Sequence, residues 1–295
     1  MSASVLVTRI AIGHGGRAVL SKPLAFHIPA WSRMVRADSK DETSERKLHG
    51  GAGMALVENN ALEGRFAIVT GASRGIGRAI AIGLAAHGCG VMLAARDEAA
   101  MEDVRGEIEA AGGRACTTVC DMGDEASVVA LVADTLKAFG RLDVLVNNAG
   151  FGIYGPMESS NTTEWDAVMA VNARGPYILC REAVPHLRKQ SLAHIVNIGS
   201  VVSVKGYAEQ AIYTASKHAL QGMTKALARE VQSDGIRVHA LCPGGVDTEL
   251  VSKARPDLDR SVLMHPEEIA DIVLFLVTRR GNAIIDEISV RRASS

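Results

Sequence analysis

The sequence predicts an α/β fold: a single doubly wound, parallel, seven-stranded sheet with helices on both faces. Three observations carry the prediction. From residue 66 onward, short apolar runs rich in Val, Ile and Ala alternate with helical patterns, the arrangement of βαβ units and a parallel sheet. The apolar runs suit strands covered on both faces. Glycine is frequent (29 residues) and aromatic residues are few (4%), which fits helices packed closely on a sheet.

The elements follow in order. "FAIVT" (66–70) is the first strand, followed by glycine and a helical pattern to about His87. "GVMLAA" (90–95) is the second, followed by a charged helix over roughly 97–111. "ACTTVC" (115–120) is the third, with a helix over about 124–138, and "DVLVNN" (143–148) is the fourth. A long helical stretch at 161–189 is expected to break or bend near Gly175-Pro176. "AHIVNIG" (193–199) is the fifth strand, before a helix over 213–234. "IRVHALC" (236–242) is the sixth; residues 266–278 are helical, and "AIIDEISV" (283–290) is the seventh. No internal repeat is present.

Residues 61–295 are therefore expected to form one domain, and residues 1–60 a disordered or non-native extension. Residues 1–37 carry five Arg/Lys and no acid, a composition resembling a transit peptide. Residues 38–53 read as a flexible linker, and Met54 is an alternative translation start.

The formal net charge of −1 gives no electrostatic case for nucleic acid or membrane binding. The stretch 79–95 has no charged residue and approaches the length of a membrane span. His87 and Gly83, Gly88 and Gly90 punctuate it, so it reads as half a helix, a turn and a buried strand. Five scattered cysteines match no zinc or disulfide pattern and read as buried thiols in a reducing, cytoplasmic setting. The nine histidines do not cluster along the chain, and no metal is predicted.

"TGASRGIG" (70–77) closes the first strand and opens the first helix. Gly71, Gly75 and Gly77 let backbone approach a ligand closely. The helix start offers unpaired N–H groups and the positive end of a dipole to a pyrophosphate. The position is that of a dinucleotide fingerprint. The second strand ends in Ala95 rather than in an acid that would bind a free ribose 2′-hydroxyl. Arg96 follows it, and Arg74 lies in the loop. Two guanidiniums favour the 2′-phosphate of NADP over NAD. Asp97 could meet the ribose, but reads better as the N-cap of the next helix.

Six segments occur in order: "TGASRGIG", "NNAG" (147–150), "VN" (171–172), "IVNIGS" (195–200), "YTASK" (213–217) and "PGGVDT" (243–248). Together they resemble the short-chain dehydrogenase/reductase family, including its 3-oxoacyl-[acyl-carrier-protein] reductase-like members, and cover about 64–250 strongly. The resemblance implies a Rossmann-type fold and a catalytic set of Ser200, Tyr213, Lys217 and Asn172, the last holding a proton-relay water. It implies cofactor contacts from Gly71, Ser73, Arg74, Gly75, Ile76 and Gly77 in the loop, and from Arg96, Asp121 and Met122 after the second and third strands. Asn148, Ala149 and Gly150 would lie along the cofactor, and Pro243, Gly244, Val246 and Thr248 beside the nicotinamide. Tyr213 and Lys217 would also touch it.

The chemistry suits these residues. Reducing a ketone leaves charge on oxygen and needs an acid. A free tyrosine titrates near ~10, and an adjacent ammonium is expected to lower that value. Positions i and i+4 share a helix face, so Tyr213 and Lys217 can serve one site. Ser200 ends the fifth strand, where open α/β sheets bind ligands, and its hydroxyl can stabilise the developing charge.

The expected activity is NADP-dependent interconversion of a carbonyl and an alcohol. The alternative is a non-catalytic dinucleotide-binding redox sensor. Residues 249–265 are expected to form the substrate lid. A 3-oxoacyl thioester is one candidate substrate; a sugar, polyol or hydroxy-amino acid is another. Arg279-Arg280 reads as a solvated helix end and Arg291-Arg292 as a tail. The resemblance implies a homodimer through the 161–189 and 213–234 helices, or a homotetramer. The usual Thr-Gly turn before the last strand is absent from "RRGNAII", which puts a second interface in doubt.

Overall fold

The computed structural model describes residues 60–254 and 259–293, with the side chains of residues 253 and 254 left out. The extension and linker expected before residue 60 lie outside the described residues. Seven strands form one parallel sheet in the order β3-β2-β1-β4-β5-β6-β7. They are β1 (Phe66–Thr70), β2 (Gly90–Ala95), β3 (Arg114–Val119), β4 (Val144–Asn147), β5 (Ala193–Ile198), β6 (Ile236–Pro243) and β7 (Glu287–Val290). The order reverses between β1 and β4, which opens a crevice at the strand C-termini there.

Strand residues alternate between two cores, as a period of two requires. Ala67, Val69, Val144, Val146 and Val196 face one layer. It is closed by α1 (Gly75–Ala86), α2 (Glu98–Ala110) and α8 (Pro266–Thr278). Ile68, Leu145 and Ile195 face the other. That layer holds α3 (Glu125–Phe139), α5 (Gly175–Leu187) and α6 (Ala211–Glu230). Both faces of the central strands are thus dry, which accounts for their unbroken apolar runs.

The stretch 79–95 is α1, a turn with Gly88 at φ 87°, and β2. Among the described residues no helix is long and apolar enough to cross a membrane.

The helical stretch after β4 is interrupted just before Gly175, as expected. It consists of α4 (Thr162–Met169), a π-helical turn at Ala170–Arg174, and α5. At Gly175, directly after the π turn, a Cβ would run into the Met122 carbonyl oxygen, so the missing side chain permits that close approach.

The seventh strand is shorter than 283–290. Only Glu287–Val290 pairs, with Ala240–Pro243. Upstream, β6 side chains hold the chain instead of a ladder. Arg237 Nη1 donates to Arg279 O at 3.0 Å, and His239 Nδ1 lies 2.6 Å from Ile285 O. The lid region contains α7 (Glu249–Ala254) and a 3₁₀ turn at Arg260–Val262.

Candidate active site

The floor of the site is made by backbone. Gly71 has φ 65°, and its N–H donates to Ala94 O at 2.7 Å. Thr70 Oγ1 accepts from the N–H groups of Asn148 (3.0 Å) and Ala149 (3.1 Å). Asn148 Nδ2 donates back to Thr70 O at 2.9 Å. The loop after β4 is thereby tied to the glycine loop. A Cβ on Gly77 would strike both the Gly71 carbonyl and the Asn148 side chain, so Gly77 serves packing rather than lining. The first turn of α1 has no capping side chain and no acid. Its free amides and positive dipole end fit a pyrophosphate, and the dinucleotide expected from the sequence suits this cradle.

Beside the cradle, Asp97 accepts from Ala100 N at 3.1 Å and caps α2. Arg96 lines the same wall. Arg74 forms an ion pair with Glu249 across the cleft (Nη1–Oε2 2.7 Å), so this guanidinium is bridged to α7 rather than unpaired. Asp121 accepts from Gly123 N at 2.8 Å through Oδ1.

One cavity of about 1020 Å³ runs from this cradle to the end of β5 and the C-terminal tail. Every position expected to bind cofactor or act in catalysis lines it, except Gly77 and Asn172.

At its closed end stand Ser200, Tyr213 and Lys217. Tyr213 and Lys217 are 6% and 4% exposed. Lys217 Nζ donates to Ile198 O at 2.9 Å and lies 5.9 Å from the Tyr213 ring centroid. Burial lowers the Lys217 ammonium to about 8. The expected lowering of the Tyr213 pKa is not what the folded chain produces. Burial drives the phenol well above its ordinary value, the neighbouring Tyr154 adds to this, and a hydrogen bond with Ser200 opposes it. The ammonium is turned to the Ile198 carbonyl, so desolvation wins.

Asn172 is fully buried in the π turn. Its Nδ2 donates to Phe151 O (2.8 Å) and Ser216 Oγ (3.0 Å), while Oδ1 accepts from Phe151 N (3.0 Å). The side chain is committed to joining the 150–151 segment to α6. A Cβ on Gly150 would lie 3.1 Å from Asn172 Oδ1 and 3.4 Å from Lys217 Nζ. The absence of a side chain there lets the three groups meet.

Four features escaped the sequence reading. Asn147 Nδ2 donates to Asn197 Oδ1 (2.8 Å), and Asn197 Nδ2 to Thr224 Oγ1 (2.8 Å), all buried. This joins β4 and β5 to α6, the helix carrying Tyr213. Lone asparagines at the ends of two apolar strands were the available signal, because each must find a partner when buried. Tyr154 packs edge-on against Tyr213 (centroids 5.7 Å) and lines the cavity. Arg292 lines it too, so the tail is part of the wall.

The fourth corrects the expectation that histidines do not cluster. His194 Nδ1 and His239 Nε2 lie 3.2 Å apart in the sheet. Burial and neighbouring His239, Arg65, Arg237 and Arg280 hold His194 down to about 2. Arg279 and Arg280 are likewise not simply solvated. Arg279 stacks over Phe275 (5.0 Å), and Arg280 Nη2 donates to Ala61 O at 2.9 Å. Among the described residues no group of three or more His, Cys, Asp or Glu side chains could hold a metal.

A parallel sheet with a glycine cradle at its switch point and a Tyr-Lys-Ser cluster beside it defines a dinucleotide-dependent oxidoreductase class. The short chain dehydrogenase profile matches residues 65–259, and the chain belongs to that family. A 3-oxoacyl-[acyl-carrier-protein] reductase from Synechocystis sp. is 39% identical over 232 residues, covering 76% of this chain and 94% of that protein. A 3beta-hydroxysteroid dehydrogenase from Mediterraneibacter gnavus is 39% identical over 195 residues, covering 66% and 70%. Among solved structures, a metagenomic short-chain oxidoreductase in complex with NADP superposes with TM-score 0.71 at 38% identity, covering 80% of this chain and all (100%) of that one. The protein is a short-chain oxidoreductase with a nicotinamide dinucleotide site.

Proposed function

We propose that the protein reduces a carbonyl to an alcohol, or runs the reverse reaction, with NADP(H), through Tyr213, Ser200, Lys217 and Asn172. One observation carries the reading: the Tyr213-Lys217-Ser200 cluster closes the same cavity whose other end is the glycine cradle. When bound, the nicotinamide supplies the hydride. Ser200 donates a hydrogen bond to the carbonyl oxygen as the C=O electron pair moves onto it. The Tyr213 O–H bond breaks and its proton passes to that oxygen. The raised phenol pKa keeps this proton in place at neutral pH, as reduction requires. Lys217, charged below about pH 8 and anchored on the Ile198 carbonyl 5.9 Å from the Tyr213 ring centroid, offsets part of the charge left on the phenolate through its field. Asn172 positions the 150–151 wall and α6.

NADP is favoured over NAD by Arg74 and Arg96 at the cradle edge, by Ala95 in place of an acid, and by the use of Asp97 as a cap. Solved relatives bound to NADP are in keeping with this reading. Comparing turnover with NADPH and NADH tests it; a strong NADH preference would refute the assignment. A 3-oxoacyl thioester is one candidate substrate, in line with the Synechocystis relative; a sugar, polyol or hydroxy-amino acid is another. The proposed assembly is a homodimer through α4–α5 and α6, where Trp165 and Tyr177 are exposed; sedimentation reads it. The proposed location is the cytoplasm, in keeping with five free cysteines.

The decisive experiment is NADPH oxidation against a carbonyl panel with Tyr213→Phe alongside. The variant should bind NADPH and lose turnover; a near-normal rate would end the acid role. If no carbonyl is reduced while NADPH binds, the redox-sensor reading takes over.

A further inference from the structure

Two arginines, one from the lid segment and one from the C-terminal tail, line the cavity, and they differ in partners. Arg260 is neutralised by Asp247 (Nε–Oδ1 2.8 Å, Nη2–Oδ1 2.6 Å). Arg292 is half-buried, and among the described residues no carboxylate pairs with it. Its position is set by the fold. Gly244 N donates to Val290 O at 2.8 Å, which seats the tail against the segment after β6. The Arg292 side chain then lies along Gly245, where a Cβ would be 3.6 Å from both Cδ and Nε. Val201, Val202, Leu250 and Val251 line the same cavity.

A guanidinium that lines the cavity with no carboxylate paired to it among the described residues is matched by a ligand's pair of anionic oxygens. We propose that Arg292 is a specificity-determining residue, and that the substrate carries a carboxylate, or a phosphate offering the same paired oxygens, in addition to its reacting carbonyl. The inference rests on the carbonyl-reduction reading above.

The test is steady-state NADPH oxidation by the full chain with 3-, 4-, 5- and 6-oxo acids against their methyl esters, and with dihydroxyacetone phosphate against dihydroxyacetone. The wild type should favour the anionic member of a pair by roughly ten- to a hundredfold in kcat/KM, mostly through KM, as charged hydrogen bonds of this kind allow. The preferred chain length reports the separation of Arg292 from the reacting centre; which pair responds separates carboxylate from phosphate. Arg292→Met should bring the ratio to about one, and Arg292→Lys should restore part of it. The proposal falls if the wild type shows no anionic preference in any pair, if Arg292→Met lowers both members alike, or if the variant weakens NADPH binding (read by fluorescence) instead. Turnover of neutral members alone overturns the inference and leaves the carbonyl-reduction reading standing. NADPH binding without turnover of any member overturns both.

Discussion

The cradle and the mouth of the cavity are built by opposite means. In the cradle, positions are set by a main-chain hydrogen bond or by a missing Cβ: Gly71 against Ala94, Thr70 against Asn148, Gly77 against the Gly71 carbonyl. The mouth is made of long side chains in solvent. The Arg74–Glu249 pair is 71% and 45% exposed, and Arg260 of the Arg260–Asp247 pair is 67% exposed. Exposed pairs of this kind contribute roughly 0–1 kcal/mol. The mouth can therefore change with little effect on folding, whereas the cradle cannot.

The largest effect should come from the reacting end. Tyr213→Phe removes the proposed proton donor and should lower kcat by about 10³-fold, within the usual range for general acids, with NADPH affinity kept. Next is the cradle. Gly77→Ala forces a Cβ into two neighbours and should lower stability by about 2–3 kcal/mol and NADPH affinity at least tenfold; a variant with normal binding would break the contrast drawn above.

Lys217 comes third. Its folded pKa of about 8 lies below the ordinary 10.5, so the reductive rate should hold below pH 8 and fall above it. The native state sheds this proton before the unfolded chain does. Holding Lys217 charged thus costs stability below pH 8, and the cost shrinks as pH rises toward 10.5. Lys217→Met should gain about 1–2 kcal/mol at pH 7 in urea melts, after allowing for the Ile198 carbonyl left unpaired. That gain should fade at alkaline pH, and turnover should be lost. The smallest effect belongs to the cradle rim. Asp97→Ala should cost about 1 kcal/mol through the lost cap, without shifting the NADPH-to-NADH ratio; a shift would make Asp97 a ribose ligand.

Legibility followed the range of the interactions. The glycine loop was readable because its turn, strand end and helix start are contiguous. Tyr213 and Lys217 were readable because helical spacing places them together, but the direction of the phenol shift was not: it depends on how completely α6 is covered. Asp97 announced its cap locally. By contrast, β7 ended short because Arg237 and His239 hold the preceding loop from another strand. The close approach of Gly175 involves Met122, far upstream. The His194–His239 pair needs two strands placed side by side in register.

Apolar periodicity, glycine placement and the motif order were enough to determine the α/β class, the order of elements and the nature of the cofactor site, because each acts within a few residues of chain. Only the tertiary structure decided that Lys217 is buried and held near 8, that Asn172 is spent on positioning, and that Arg292 enters the cavity. Desolvation and charge pairing depend on what surrounds a group in space, and those neighbours come from strands and loops distant in sequence.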